Sequence, residues 1–341
     1  MKSTEVLVGP QIMSESRRKN IMSFLSYERH YAHIAYAKKL LRYCLYDVER
    51  IYSDGYANGE TVFVFTKEYQ IDESGFRATG SCLVRCTQDS YCVNIDVKIP
   101  MIENGQQIGE TQKYYSKEFP PVGLYEVLNL IKLFYMGEPG DSVLFTGAFC
   151  PPHKGHEHLV KEAAERFDCV FMAISTQKFL VNKFKKSKQE MTWCFPENYR
   201  LDFLVGMTWN MPKVILHGVE EGYTYNVLCD VNNKYKPKSL WFTCGSDKLE
   251  EIPRWGFHDK LLIEFGFYVL QRDSDDIEAI RKRCDDIFNN YAIAKQSEYS
   301  DTSSTKIREA LSKDDFDYIK ENVPEGVYER FQQMGYTKRN A

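Results

Sequence analysis

Ser142-Val143-Leu144-Phe145-Thr146-Gly147-Ala148-Phe149-Cys150-Pro151-Pro152-His153-Lys154-Gly155-His156 is the stretch on which the reading of this chain turns. Ser142 to Phe149 reads as a buried strand and His156 to Phe167 as a helix. At their junction lie glycine, two prolines and two imidazoles three residues apart, the second of which begins the helix. A glycine at a strand end lets a ligand approach the backbone. The imidazoles can donate hydrogen bonds, and a helix start adds unpaired N–H groups and partial positive charge. Together these suit a nucleoside triphosphate.

Outward from this stretch the rhythm repeats. Cys169 to Ser175, Lys213 to His217, Leu240 to Cys244 and Phe267 to Gln271 read as strands. Tyr225 to Tyr235 and Ile277 to Asn289 read as helices. Strands alternating with helices predict an α/β domain: a parallel sheet covered on both faces, with ligands at the carboxyl ends of its strands.

Upstream the pattern differs. Glu138-Pro139-Gly140-Asp141 is turn-rich and marks a boundary, giving domains at 1–138 and 139–341. Arg17 to Ile51 carries apolar residues at helical spacing and is long enough for two helices. Asp54-Gly55, Asn58-Gly59 and Asn104-Gly105 signal turns. Thr61 to Ile71, Phe76 to Cys86 and Ser90 to Ile99 read as strands. A smaller α+β domain is expected, without a recognisable catalytic motif.

The 341 residues suffice for two domains, and the net charge of −4 gives no overall pull toward nucleic acid or anionic membrane. Leu124 to Met136, the most apolar stretch, is interrupted by Glu126, Asn129 and Lys132 and reads as an amphipathic helix. The polar start lacks a secretion signal, so a cytoplasmic protein is expected. Ten cysteines are spread along the chain. Cys82, Val84 and Cys86 alternate as one strand face, so buried thiols are the reading, and no Cys-x-x-Cys pair or nearby His supports zinc.

The Gly147-x-Phe149-x-Pro151-x-His153-x-Gly155-His156 series resembles the nucleotidyltransferases that carry the His-x-Gly-His signature, which use ATP or CTP on a Rossmann-like fold. Ser303-Ser304-Thr305-Lys306-Ile307-Arg308 is similar to that family's second box, with Thr302 where Ile is usual. Physically it is a hydroxyl-rich helix start with an arginine one turn on, suited to phosphates. Gly245-Ser246-Asp247-Lys248-Leu249 followed by Trp255 resembles a segment of the pyridine-nucleotide adenylyltransferases. So does Gly222-Tyr223-Thr224-Tyr225-Asn226-Val227-Leu228, with Gly and Val as departures. Arg272 matches a strand-terminal arginine there, and Tyr199-Arg200 an arginine at the third helix.

The resemblance runs from near residue 140 to near 338. It implies transfer of AMP from ATP to nicotinamide or nicotinate mononucleotide, with Mg²⁺ accompanying ATP. Attack is in line, without a covalent intermediate. His153, His156 and Arg308 would face the triphosphate, and Gly147, Phe149, Gly155 and Gly245 would shape the nucleotide site. Ser304 and Thr305 would hold the β- and γ-phosphates, Asp247 a ribose, and Trp255 the pyridine ring, with Thr224 and Arg272 near the mononucleotide.

Lys178, Lys183, Lys185, Lys186 and Lys188 read as a solvated charge run in a loop, with a phosphate-binding lid as the other reading. A Pro-His-Lys loop of the bacterial nicotinate enzymes is absent, which leaves acid against amide open. A pantetheine-phosphate adenylyltransferase or a cytidylyltransferase is disfavoured by the Asp247 and Trp255 pair. The intact His-x-Gly-His disfavours a nucleotide-binding sensor. Homo-oligomer formation is left open.

Overall fold

The computed structural model describes residues 39–41, 53–57, 60–70, 77–87, 90–104, 106–120, 123–220, 223–271, 276–294, 299 and 301–336. The chain divides into two compact units, with the division between Gly137 and Glu138, and with Trp209–Pro212 grouped with the first.

The first unit holds an antiparallel sheet in the order β1-β2-β3-β4-β5. Its strands are β1 (Ser53–Ala57), β2 (Glu60–Gln70), β3 (Arg77–Cys86), β4 (Tyr91–Glu103) and β5 (Gln106–Phe119). Alternation decides which face is covered. Ala78, Cys82, Val84 and Cys86 of β3 are buried, as are Phe63 and Phe65 of β2 and Tyr91 and Val93 of β4. Helix α1 (Leu124–Met136) has its expected bounds and packs on β3, β4 and β5, burying Leu124, Val127, Leu128 and Ile131. Cys82 and Cys86 face this core as read, while Cys92 is half-buried on β4 opposite Arg85.

Two expectations change here. Asp54-Gly55 is not a turn: both residues lie in β1, paired with Phe63 and Val62 of β2. Ladder pairing with a strong neighbouring strand overrides the dipeptide's preference. β4 runs to Glu103 and pairs with β5, whose polar run (QQIGETQKYYSKEF) hides it from a search for apolar alternation. Asn104 takes positive φ (52°) beyond β4, as its turn signal predicts. Of the helical stretch expected over Arg17 to Ile51, only 39–41 are described, and they are helical, with Leu40 and Leu41 buried. Asn58-Gly59 lies outside the described residues.

The second unit is the predicted parallel α/β sheet. Its strands are β6 (Asp141–Gly147), β7 (Cys169–Ser175), β8 (Val214–Glu220), β9 (Ser239–Gly245), β10 (Gly266–Leu270) and β11 (Tyr291–Ala294), in the order β11-β10-β9-β6-β7-β8. All the strand pairs are parallel. The first strand is central, so the winding reverses between β6 and β9, and a crevice opens there at the strands' carboxyl ends. β7 is buried from Cys169 through Ile174, as a strand covered on both faces must be. β11 is four residues long, too short to signal itself.

The helices are α2 (Lys154–Arg166), α3 (Gln177–Lys186), α4 (Glu197–Thr208), α5 (Thr224–Tyr235), α6 (His258–Glu264), α7 (Ile277–Ile287), α8 (Ser304–Ser312), α9 (Phe316–Asn322) and α10 (Glu325–Gln333). The lysine-rich segment is therefore helical over α3 rather than a loop. α10 crosses α4 closely: a Cβ on Gly326 would stand 2.0 Å from the Gly206 carbonyl oxygen, so only glycine fits. Beside that crossing Arg330 is buried and donates to the Asp202 carboxylate. Among the described residues no helix is long and apolar enough to cross a membrane.

Candidate active site at the winding reversal

The turn after β6 carries the first motif. Phe149 holds positive φ (42°), is buried, and meets the His156 ring edge-on with centroids 5.0 Å apart. The Cys150–Pro151 peptide is cis. His153 is the N-cap of α2, and its backbone N–H donates to His156 Nδ1 at 3.2 Å. With Nδ1 accepting, a neutral His156 carries its proton on Nε2. The two imidazoles are in contact, with centroids 3.8 Å apart. Gly155 makes this possible: a Cβ there would stand 3.0 Å from the His153 ring and 3.2 Å from the Tyr299 carbonyl oxygen.

A cavity of about 290 Å³ opens over this turn. Gly147, Phe149, His153, Gly155 and His156 line it from one side, Thr243 and Gly245 from the end of β9, and Ser304 from the start of α8. It thus straddles the reversal between β6 and β9. Ser304 Oγ donates to the Pro151 carbonyl at 2.8 Å, fastening α8 to the turn. Ser303 caps α8 by accepting the Lys306 N–H at 3.2 Å. Lys183 of α3 also lines the cavity. Among the described residues no carboxylate lines it.

A second cavity, about 210 Å³, lies on the β7 side of β6. Thr146 lines both cavities. The rest of the second lining includes Ser175, Thr176, the exposed ring of Phe179, and Thr224 at the start of α5. Thr176 caps α3 by accepting the Phe179 N–H at 3.2 Å.

The remaining expected residues fall elsewhere. Arg308 is buried, does not itself line the first cavity, and donates to the Cys150 carbonyl at 2.6 Å, with Gln189 and Thr305 as further acceptors. Burial lowers its pKa. Thr305 is exposed and does not line the cavity. Asp247 is exposed and half-buried Trp255 packs edge-on to Phe242 at 6.0 Å; neither lines either cavity. Arg272 lies outside the described residues.

Sequence reasoning missed some of the wall. Lys183 was one lysine among several, and only the helical phase of α3 turns it to the cavity. Thr146 and Thr243 sit at strand ends, where position alone marks them. Arg200 has a larger structural part than its motif suggested. Fully buried, it donates to Ala148 O (2.9 Å), Ser175 O (2.7 Å) and Phe195 O (3.2 Å), binding the exits of β6 and β7 together. Burial lowers its pKa too. At the foot of the same assembly, burial holds the Cys150 thiol up at about 11, an inert packing group rather than a nucleophile.

Residues 144–310 match the model of a family described as cytidylyltransferase-like. A probable nicotinate-nucleotide adenylyltransferase of a Nitratiruptor species is 33% identical over 129 residues, 36% of this chain and 69% of that protein. One from Campylobacter jejuni subsp. jejuni is 29% identical over 202 residues, 56% of this chain and 97% of its own length. Among solved structures, the Plasmodium falciparum nicotinic acid mononucleotide adenylyltransferase complexed with NaAD aligns with TM-score 0.44 and 18% identity, covering 58% of this chain and 100% of that one.

Proposed function

This chain belongs to the nicotinate-nucleotide adenylyltransferase family, and on that premise we propose that it transfers AMP from ATP to the phosphate of nicotinate mononucleotide, releasing pyrophosphate. The observation that carries the reading is the pair of cavities that share Thr146 at the winding reversal, one of them walled by two imidazoles in contact. A donor and an acceptor held there meet at the end of β6.

The larger cavity takes ATP. His153, His156, Lys183 and Ser304 supply donors and positive charge to the phosphates, and Arg308 approaches them from behind. The smaller cavity takes the mononucleotide, with Thr224 and Thr176 as hydroxyl donors and the Phe179 ring as a flat partner for the pyridine.

An oxygen of the mononucleotide phosphate attacks the α-phosphorus in line. The bond to the β-phosphate's bridging oxygen breaks, and pyrophosphate leaves. Charge accumulates on the departing phosphate oxygens, where the imidazoles and Lys183 lie. Catalysis is therefore alignment and charge stabilisation rather than proton abstraction. Mg²⁺ enters as part of the nucleotide substrate.

Incubation with ATP, Mg²⁺ and nicotinate mononucleotide should yield dinucleotide and pyrophosphate in equal amounts. With a chiral α-thiophosphate analogue of ATP, single in-line displacement inverts the configuration at phosphorus. Retention would overturn the direct-attack mechanism.

A further inference from the structure

Arg308 is 8% exposed, yet its hydrogen-bond partners are all neutral. Nη1 donates to the Cys150 carbonyl at 2.6 Å. Nη2 donates to Gln189 Oε1 at 2.7 Å and to Thr305 Oγ1 at 2.9 Å. The guanidinium lies over the face of Phe184, 4.8 Å from the ring centroid, and Phe184 is itself buried. None of these contacts cancels the positive charge. A guanidinium has five N–H donors, so these bonds leave two for an anion.

The partners are informative by their neighbours. Cys150 follows Phe149, Thr305 follows Ser304, and Phe184 follows Lys183; Phe149, Ser304 and Lys183 all line the ATP cavity. Arg308 is thus fixed one residue behind three parts of that wall. Phe184 and Gln189 come from α3 and the loop after it, an element separate from α8. They hold the guanidinium over the ring face and against one directed acceptor, the Gln189 side-chain oxygen.

We propose that Phe184 and Gln189 are positioning residues for the adenylyl transfer, orienting Arg308 so that its two remaining donors meet the triphosphate without rearrangement. This rests on the reading above in which Arg308 serves the triphosphate. Phe184 and Gln189 touch no substrate and act only through that guanidinium.

The test is a double-mutant cycle on the full chain, with kcat and both KM values measured for Phe184→Leu, Gln189→Ala, Arg308→Ala and each pairing with Arg308→Ala. Phe184→Leu and Gln189→Ala should each lower kcat roughly tenfold, leaving KM for nicotinate mononucleotide within about twofold. In the Arg308→Ala chain the same changes should cost less than about twofold more, because nothing remains to be oriented. Should Arg308→Ala fail to fold, Arg308→Lys serves as the background, since it keeps the charge but loses the planar fork. If either single change leaves kcat at the wild-type value, or its full loss recurs in the arginine-less background, the proposal is overturned. Wild-type kcat in Arg308→Ala itself would instead remove the underlying assignment of Arg308.

Discussion

The antiparallel and parallel sheets are built from a similar vocabulary of valine, phenylalanine and tyrosine, but their burial differs. In β3 every second residue is buried, whereas β7 is buried from Cys169 to Ile174 without a break. A strand covered on both faces keeps only its ends for chemistry. In the parallel unit those ends gather at the reversal between β6 and β9, and there two cavities share Thr146. Antiparallel strands point their ends both ways, so the same residues make a platform rather than a focus. The polar face of β5 is instead engaged in cross-strand bonds, as where Tyr114 and Ser116 both donate to Asn94 Oδ1 at 2.9 and 2.7 Å. The chemistry should therefore break with changes at the parallel strands' ends and survive changes in the antiparallel core.

The largest effect should follow His156→Ala. It removes one of the paired imidazoles from the ATP cavity, and kcat should fall about a thousandfold or more. A thermal melt close to wild type would show that the loss is chemical. Near-normal turnover would break the comparison at its strongest point.

Phe63→Ala carries the contrast to the other sheet. Phe63 is fully buried on β2, opposite Val84. Its truncation should cost about 3–5 kcal/mol in denaturant unfolding of that unit. Turnover per folded molecule, measured well below the transition, should stay at the wild-type value.

Gly155→Ala is subtler. The added methyl group meets the His153 ring at 3.0 Å and the Tyr299 carbonyl oxygen at 3.2 Å, tight enough that the ring must give way. Displacing the imidazole should lower kcat about a hundredfold, with KM for nicotinate mononucleotide little changed. Lys183→Ala should have the smallest effect of these, a roughly tenfold rise in KM for ATP. The same change at Lys186, exposed on α3, should do nothing measurable.

These expectations reflect what could be read from residues alone. The parallel sheet was legible because strands such as Cys169 to Ser175 are unbroken apolar runs, and because Gly147 to His156 fixes a strand, a turn and a helix in one short stretch. β5 was not legible, since its stability comes from pairing with β4 and most of its side chains stay in water. Asp54-Gly55 misled for the opposite reason, a local turn preference overridden by the ladder to β2. In the site, Gly147, Gly155, Gly245, His153, His156 and Ser304 line one cavity. Lys183 could not be told from its neighbours without the phase of α3. The nest around Arg308 was equally hidden, because Phe184 and Gln189 join it only through tertiary packing.

The most direct test is pyrophosphate release from ATP and Mg²⁺ by the full chain, with nicotinate mononucleotide, nicotinamide mononucleotide, phosphopantetheine or no acceptor. The account predicts rapid release with nicotinate mononucleotide and none with phosphopantetheine or without an acceptor. Release with phosphopantetheine alone, or silence with both pyridine mononucleotides in a protein that still binds ATP, would contradict it.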